Sequence, residues 1–409
     1  MKKIKIALIL FLAPFFLVSM ISVSQAELSL IPTISLREEY NDNIFLAAYN
    51  EEDDFLTTVS PAVALTYAAG GMDLALDYRL DFDFYRYNPD RNEIRQLGRF
   101  ESTLSSYRDI FFIRVSDVFA RVPIDVRSQV ALDNLLTNTT DSNRFLVNPY
   151  LEYPLSDTFR ARVGYTYENI WYAEGVGDDA ENNSADLSII KEISSKMTAS
   201  LTYTYLSHRP DRTEDYDRQN AGLGIDYKIS PRLSLNAGAG QTRFAYKTGV
   251  EFDSTIWNIK ADYLLTENLA LSAGYAETFS DSVNVGAYKR KSSTGAISYS
   301  GKSTVTLRAF KNVDKYIIAD REDRSRGVAI GSSIPLTSRI TGTLTGRYTY
   351  YEFLPQEENV DRYGLGLSFN YSLKLLTATL GYTHNLNDSD IEARDYRNNI
   401  AWLRVRLTI

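Results

Sequence analysis

The residues whose types and spacing bear on chemistry are few: two histidines, three runs of loop carboxylates, three glycine pairs and one dense strip of aspartates. His208 stands in His-Arg-Pro-Asp-Arg, at the opening of a long polar loop, with Asp211 three residues on. His384 stands near the end of an alternating segment. A histidine set by a carboxylate can activate a serine hydroxyl. No Gly-x-Ser-x-Gly sequence exists, and no serine stands out beside either histidine, so no enzyme and no catalytic residue is expected. The chain has no cysteine, which excludes disulfides, thiol chemistry and cysteine-ligated metal. The acid runs Glu51-Glu52-Asp53-Asp54, Asp178-Asp179 and Glu357-Glu358 supply oxygen ligands of the kind calcium takes. None has the spacing of a calcium-binding loop, so they are expected to be solvated loop residues, with no metal and no cofactor. Gly222/Gly224, Gly238/Gly240 and Gly364/Gly366 resemble fragments of a dinucleotide loop, but they sit inside alternating segments with no helix after them. There they read as relief of crowding on a curved wall.

The aspartate strip shows what must position these residues. Met72 to Tyr85 puts Met72, Leu74, Leu76, Tyr78, Leu80, Phe82 and Phe84 on one parity. Asp73, Asp77, Arg79, Asp81 and Asp83 fall on the other. A strand turns that alternation into one apolar and one charged face, whereas a helix would scatter the charges around its circumference. The stretch is also long enough to cross a membrane, which takes about 9–11 tilted residues. The same alternation recurs from Phe159 to Glu168, Met197 to Tyr205, Trp257 to Tyr263, Thr343 to Tyr350, Arg362 to Tyr371 and Leu403 to Ile409.

Composition narrows the class. The first residues carry Lys2, Lys3 and Lys5, then an apolar run from Ile6 to Val18, then Ser24-Gln25-Ala26. That is the layout of a secretory leader over residues 1–26, with the mature chain beginning at Glu27. No later stretch approaches the roughly 18 apolar residues of a membrane helix. The chain holds 52 Asp and Glu against 44 Lys and Arg, a formal net charge of −8, which disfavours nucleic acid as a partner. Tyrosine is abundant, at 29 residues, and most tyrosines have outward parity near strand ends, where an aromatic girdle belongs.

Connections between the alternating segments come in two kinds. Short turns such as Ala69-Gly70-Gly71, Ser230-Pro231-Arg232 and Ser300-Gly301-Lys302 alternate with long polar segments such as Asn41–Asp54, Val122–Asn143 and Asn385–Arg397. Short turns at one end and long loops at the other mark an outer-membrane barrel. The expected fold is all-β: one transmembrane antiparallel up-and-down β-barrel over residues 27–409, with about 20 strands, or 18 if the weak segments Ile31–Tyr40 and Gly327–Ile334 fail. Closure is required because lipid cannot satisfy an open sheet edge. Inward parity then names the pore-lining candidates: Asp73, Asp77, Arg79, Asp81, Asp83, Arg114, Arg160, Arg162, Glu168, Arg308, Arg347, Arg362, Arg404 and Arg406. They read either as a charged conduit with an acidic strip facing basic ladders or as ordinary lumen wall, where water accepts any polar side chain; the inward Tyr85, Tyr107 and Trp402 can stack on sugar rings.

Glu39-Tyr40-Asn41-Asp42-Asn43-Ile44-Phe45, then Asp53-Asp54-Phe55, then Val59-Ser60-Pro61, resemble the opening of the porin type 2 family of outer-membrane β-barrels. Val115-Ser116-Asp117 to Arg121-Val122-Pro123, and Pro149 to Ser156, are similar as well. The resemblance implies an outer-membrane conduit or accessory for exopolysaccharide export. Its implied partners are outer-membrane lipid and lipopolysaccharide, the barrel-assembly machinery, periplasmic polysaccharide-export proteins and the polysaccharide itself. It carries over no catalytic residue. The chain ends on Ile409 rather than the aromatic residue common at the end of such barrels. A general diffusion porin and a non-transporting surface scaffold are the alternatives.

Overall fold

The structure is a computed structural model in which residues 27–106 and 109–409 are described. The leader expected over residues 1–26 lies outside the described residues, and so does Tyr107. Twenty strands follow one another in chain order. The first ten are β1 (Glu27–Asn41), β2 (Asp54–Ala69), β3 (Met72–Tyr85), β4 (Glu93–Ser106), β5 (Phe111–Pro123), β6 (Thr139–Ser156), β7 (Phe159–Tyr172), β8 (Ala180–Ser194), β9 (Met197–Pro210) and β10 (Tyr216–Ser230). The remainder are β11 (Leu233–Tyr246), β12 (Glu251–Leu264), β13 (Leu269–Asp281), β14 (Ala287–Ser300), β15 (Thr304–Tyr316), β16 (Glu322–Pro335), β17 (Ile340–Leu354), β18 (Glu358–Ser372), β19 (Leu376–Ser389) and β20 (Tyr396–Thr408). Consecutive strands pair antiparallel, and β1 also pairs with β20, from Thr33 opposite Thr408 to Asn41 opposite Ile400. That last ladder closes the sheet into a barrel and removes its edges.

The two weak segments are both strands, and both are longer than their alternation suggests: β1 begins at Glu27 and β16 at Glu322. Backbone pairing to neighbours on both sides holds them where side-chain pattern alone is faint. Strands also run on into segments that read as loop. Asn385–Ser389 belongs to β19, and Thr139–Asn143 to β6. These polar ends lie past the apolar band, where the ladder needs no apolar face.

The band itself is legible on β18. Tyr363, Leu365, Leu367, Phe369 and Tyr371 are all exposed on the outer face. The two tyrosines are about 27 Å apart along the strand, or about 20 Å across a bilayer for a strand tilted near 40°. That agrees with an apolar band of about 25 Å edged by aromatic side chains.

Two ladders stop short of the long-loop end. β12 pairs with β13 only from Asn258 to Leu264, and β4 pairs with β5 only from Gly98 to Ser106. Above Asn258 the top of the β13–β14 hairpin leaves β12 and turns over the mouth. Phe279 packs against the inward Phe244 at 4.8 Å, and Tyr216 Oη donates to Asp281 at 2.8 Å. Most fully buried side chains, among them Tyr216, Phe244, Asn43, Asn385 and Asn398, gather at this end rather than at the barrel centre.

Candidate functional site

The site is the outer mouth and the wall beneath it. Residues 124–138, between β5 and β6, do not extend into solvent. They cross the mouth and fasten to the inner faces of β16 to β20. Arg127 donates to Asp323 at 2.8 Å and to the Leu354 carbonyl at 2.7 Å, and it also meets Gln356. Arg321 donates to both Asp125 oxygens, at 2.8 and 2.6 Å. Further along, Arg362 donates to the Ser128 carbonyl at 2.9 Å and Tyr396 Oη to the Val130 carbonyl at 2.6 Å. Asn385 grips Leu132 from both sides, accepting from its N–H and donating to its carbonyl, each at 3.0 Å. Thr383 donates to Asp133 at 2.7 Å, and Asn134 donates to the Ile44 carbonyl at 2.9 Å.

This path depends on Gly364. A Cβ at that position would stand 2.7 Å from Leu132 Cδ1, so the glycine provides the notch into which Leu132 fits. Burial works to raise the Asp125 carboxyl, but hydrogen bonds from Arg321 and the Arg127 N–H outweigh it and hold it below the usual carboxylate range.

The opening motif forms the footing of the segment. Asn398 donates to Asn41 at 2.6 Å and to the Asn43 carbonyl at 3.0 Å. Asp42 accepts the Asn399 backbone and side-chain N–H groups, each at 2.6 Å. These bonds lock the β1/β20 seam and present the Ile44 carbonyl to Asn134. On the other side of the mouth, Asp178 accepts the Arg212 and Thr213 backbone N–H groups at 2.8 Å, while its own N–H donates to the Val283 carbonyl at 2.7 Å. Two in-turned segments therefore narrow the entrance from opposite sides.

Below the mouth, the pore-lining candidates divide into two groups. Asp81 and Asp83 are not free in the lumen. Asp83 is 1% exposed, accepts Thr58 Oγ1 at 2.7 Å and pairs with Arg95; Asp81 pairs with Arg79 at 2.9 Å. Glu168 is likewise buried, held by Arg144 and by Asn182 at 2.7 Å. Arg160 pairs with Glu152 at 3.3 Å, Arg162 lies over the Tyr150 ring at 4.0 Å, and Arg362 is tied to Asn387 at 2.7 Å. Arg347 rests on Phe310 at 5.1 Å and Arg404 on Trp402 at 5.3 Å. Asp73, Asp77, Arg114, Arg308 and Arg406 are exposed on the wall. The acidic strip thus has a structural outer half and a solvated inner half.

Trp402 is no bare stacking surface. Arg37 covers its ring at 4.7 Å, and the indole lies on β19 at Gly381, where no side chain would fit. Tyr85 lines a small polar cavity of about 50 Å³ beneath residues 133–136.

Several loop expectations are corrected. His208 does not open a loop: it is an inward residue of β9, buried against Tyr216 and hydrogen-bonded to Asn182 at 2.6 Å. His384 likewise meets an asparagine, Asn399, at 2.8 Å. Nor are three of the loop acids solvated. Asp54 is fully buried and accepts the N–H groups of Arg86, Tyr87 and Asn88 at 2.9–3.0 Å. Asp178 pins a second loop, as above, and Glu358 is held by Ser389 and Arg394. Sequence reasoning missed the anchors Arg127, Asn134, Thr383 and Asn385. The available signal was apolar: Ile124, Val126, Val130, Leu132, Leu135 and Leu136 stand in a segment that should be polar if it faced only water.

No family model and no curated protein matches the chain in sequence. Solved structures do match in shape. The FrpB iron transporter from Neisseria meningitidis (F5-1 variant) superposes with a TM-score of 0.53 at 9% identity, over 93% of this chain and 82% of that one. A ferric enterobactin receptor (PfeA) mutant from Pseudomonas aeruginosa gives 0.54 at 8% identity, over 93% and 80%. The siderophore receptor PirA from Pseudomonas aeruginosa gives 0.53 at 10% identity, over 93% and 80%. At such identities the likeness carries the fold alone. The twenty-stranded closed barrel, its apolar band and these neighbours together give the chain the fold of a large outer-membrane β-barrel.

Proposed function

We propose that this chain is an outer-membrane conduit, serving exopolysaccharide export as the opening motif suggests, with its entrance narrowed by residues 124–138. The observation that carries the reading is that segment, which is fastened across the mouth to the inner faces of β16 to β20. The wall beneath the narrowed mouth is polar and charge-lined, with Asp73, Asp77, Arg114, Arg308 and Arg406 exposed on it. Arg and Asp side chains on that wall keep a hydrated polymer solvated, while the in-turned segment limits the bore. Periplasmic export proteins deliver the chain to the short-turn end, and the barrel-assembly machinery inserts the protein.

A general diffusion porin is the second reading. The exposed Asp73 and Asp77, on a wall that also exposes Arg308 and Arg406, favour it. Deletion of the gene in a polysaccharide-producing host separates the two. Loss of extracellular polysaccharide with unchanged uptake of small solutes supports export. Intact polysaccharide with reduced solute uptake supports the porin and refutes export.

A further inference from the structure

The outer surface of β14, β15 and β16 changes character abruptly along its length. Ile297, Leu307, Ile330 and Val328 are exposed on the lipid-facing side. One outward step beyond Val328, about 7 Å along the strand, stands Arg326. Its cross-strand partner is Lys311; one further step places Arg324 level with Lys291, and the step after that places Lys315 between Glu322 and Lys289. With Lys289 these six cations line a single cleft of about 860 Å³, at the place where the β13–β14 hairpin has left β12. The cleft is recessed because the ladder is open there. Phe252 and Ser254 of β12 form its far side.

Only part of this charge is used internally. Glu277 takes Lys289 at 2.6 Å, while Glu322 and Glu352 take Arg324 at 2.6 and 3.2 Å. Among the described residues, no carboxylate lies within ion-pair distance of Lys291, Lys311, Lys315 or Arg326. Arg326 is instead laid over the Tyr350 ring at 4.8 Å, which holds the guanidinium ready for an incoming acceptor. Concentrating unpaired cations in this way runs against the acidic character of the whole chain, whose formal net charge is −8. Like charges brought together repel, so the arrangement calls for an anion.

The anion must reach the outer face of the barrel just beyond the apolar band. Cargo in the lumen does not pass there. A phosphorylated lipid headgroup does, with its acyl chains along Val328, Ile330 and Leu307. Lysines meet phosphate as mobile point charges and Arg326 as a forked donor. Basic recesses against the membrane surface hold lipid headgroups by this chemistry.

We propose that the cleft is a binding site for lipopolysaccharide, with Lys291, Lys311, Lys315 and Arg326 on the phosphates of its lipid A. The proposal rests on the barrel lying in an outer membrane, which insertion into liposomes tests separately. The full mature chain in detergent is titrated with bisphosphorylated lipid A, followed by thermal unfolding and native mass spectrometry. Dephosphorylated lipid A and phosphatidylglycerol serve as comparison probes.

Replacing the four cations together (Lys291→Gln, Lys311→Gln, Lys315→Gln, Arg326→Gln) is expected to weaken bisphosphorylated lipid A about a thousandfold. Arg243→Gln, which removes an exposed cation paired with Glu251, is expected to leave binding unchanged. The quadruple variant is scored only as folded barrel, judged by its heat-dependent gel mobility; if it does not fold, the pair Lys311→Gln with Arg326→Gln replaces it, with about thirtyfold weakening expected. Equal binding by wild type and folded variant overturns the site. Equal binding of phosphatidylglycerol and lipid A overturns the choice of lipid, and loss on dephosphorylation supports it.

Discussion

Two aspartates on one strand, six residues apart and facing the same way, are expected to respond very differently to the same substitution. Asp83 is 1% exposed, accepts Thr58 Oγ1 at 2.7 Å and pairs with Arg95, whose side chain is 10% exposed. Asp77 is exposed on the lumen wall. Removing one partner of a buried ion pair costs about 3–5 kcal/mol. Arg95 retains Asp81 at 3.6 Å and Glu93 at 3.9 Å, so Asp83→Asn should cost less, about 2–3 kcal/mol. Asp77→Asn should leave stability unchanged and reduce preference for cations, most clearly when combined with Asp73→Asn. Urea unfolding of barrel reconstituted in vesicles gives the stability. Reversal potentials in a salt gradient across a planar bilayer give the selectivity. Equal destabilisation by the two substitutions would refute the division of the acidic strip. So would a selectivity change that follows Asp83 and not Asp77.

Leu367 lies midway between Tyr363 and Tyr371 on the lipid side of β18, and Leu367→Arg should cost about 2–4 kcal/mol in the same urea measurement. A cost near zero would mean that the face is wrongly assigned. The Asp125 carboxyl is held below its usual range by Arg321 and the Arg127 N–H against the opposing effect of burial. A depressed value in the fastened state means that this anchoring is complete above the ordinary carboxylate pKa of about 3.9 and is lost as pH falls below it. Conductance steps should therefore enlarge as pH is taken from 7 to below the usual carboxylate range, toward the size that Asp125→Asn gives at pH 7. Steps that shrink on acidification would contradict the sign.

Strand parity was legible in the sequence because a membrane barrel writes it so plainly: each outward residue meets lipid and each inward one meets water. Leu365, Leu367 and Phe369 could therefore be placed from their neighbours alone, and twenty strands followed from the alternation of turns and loops. What parity cannot express is distance across the lumen. Arg127 and Asp323 are 196 positions apart and meet only because the barrel closes. For the same reason Asp83 looks like Asp77 in sequence, although Arg95 of the next strand buries one and not the other. The loop acids misled for a related cause. Asp54 and Asp178 look like solvated residues, but three consecutive backbone N–H groups come to the first and two to the second once the loops fold back. Gly364 gave the one local hint, a missing side chain on the inner wall, but its occupant, Leu132, comes from a distant loop.

Planar-bilayer recording of the purified barrel, with and without residues 126–134 replaced by a short Gly-Ser linker, tests the conduit most directly. The wild type should show discrete conductance steps, and the shortened protein clearly larger ones, because the segment fastened to Asn385, Arg362 and Asp323 no longer crosses the mouth. Silence from both proteins, each shown to be folded and inserted, would contradict a conduit. Steps of equal size would contradict a mouth narrowed by that segment.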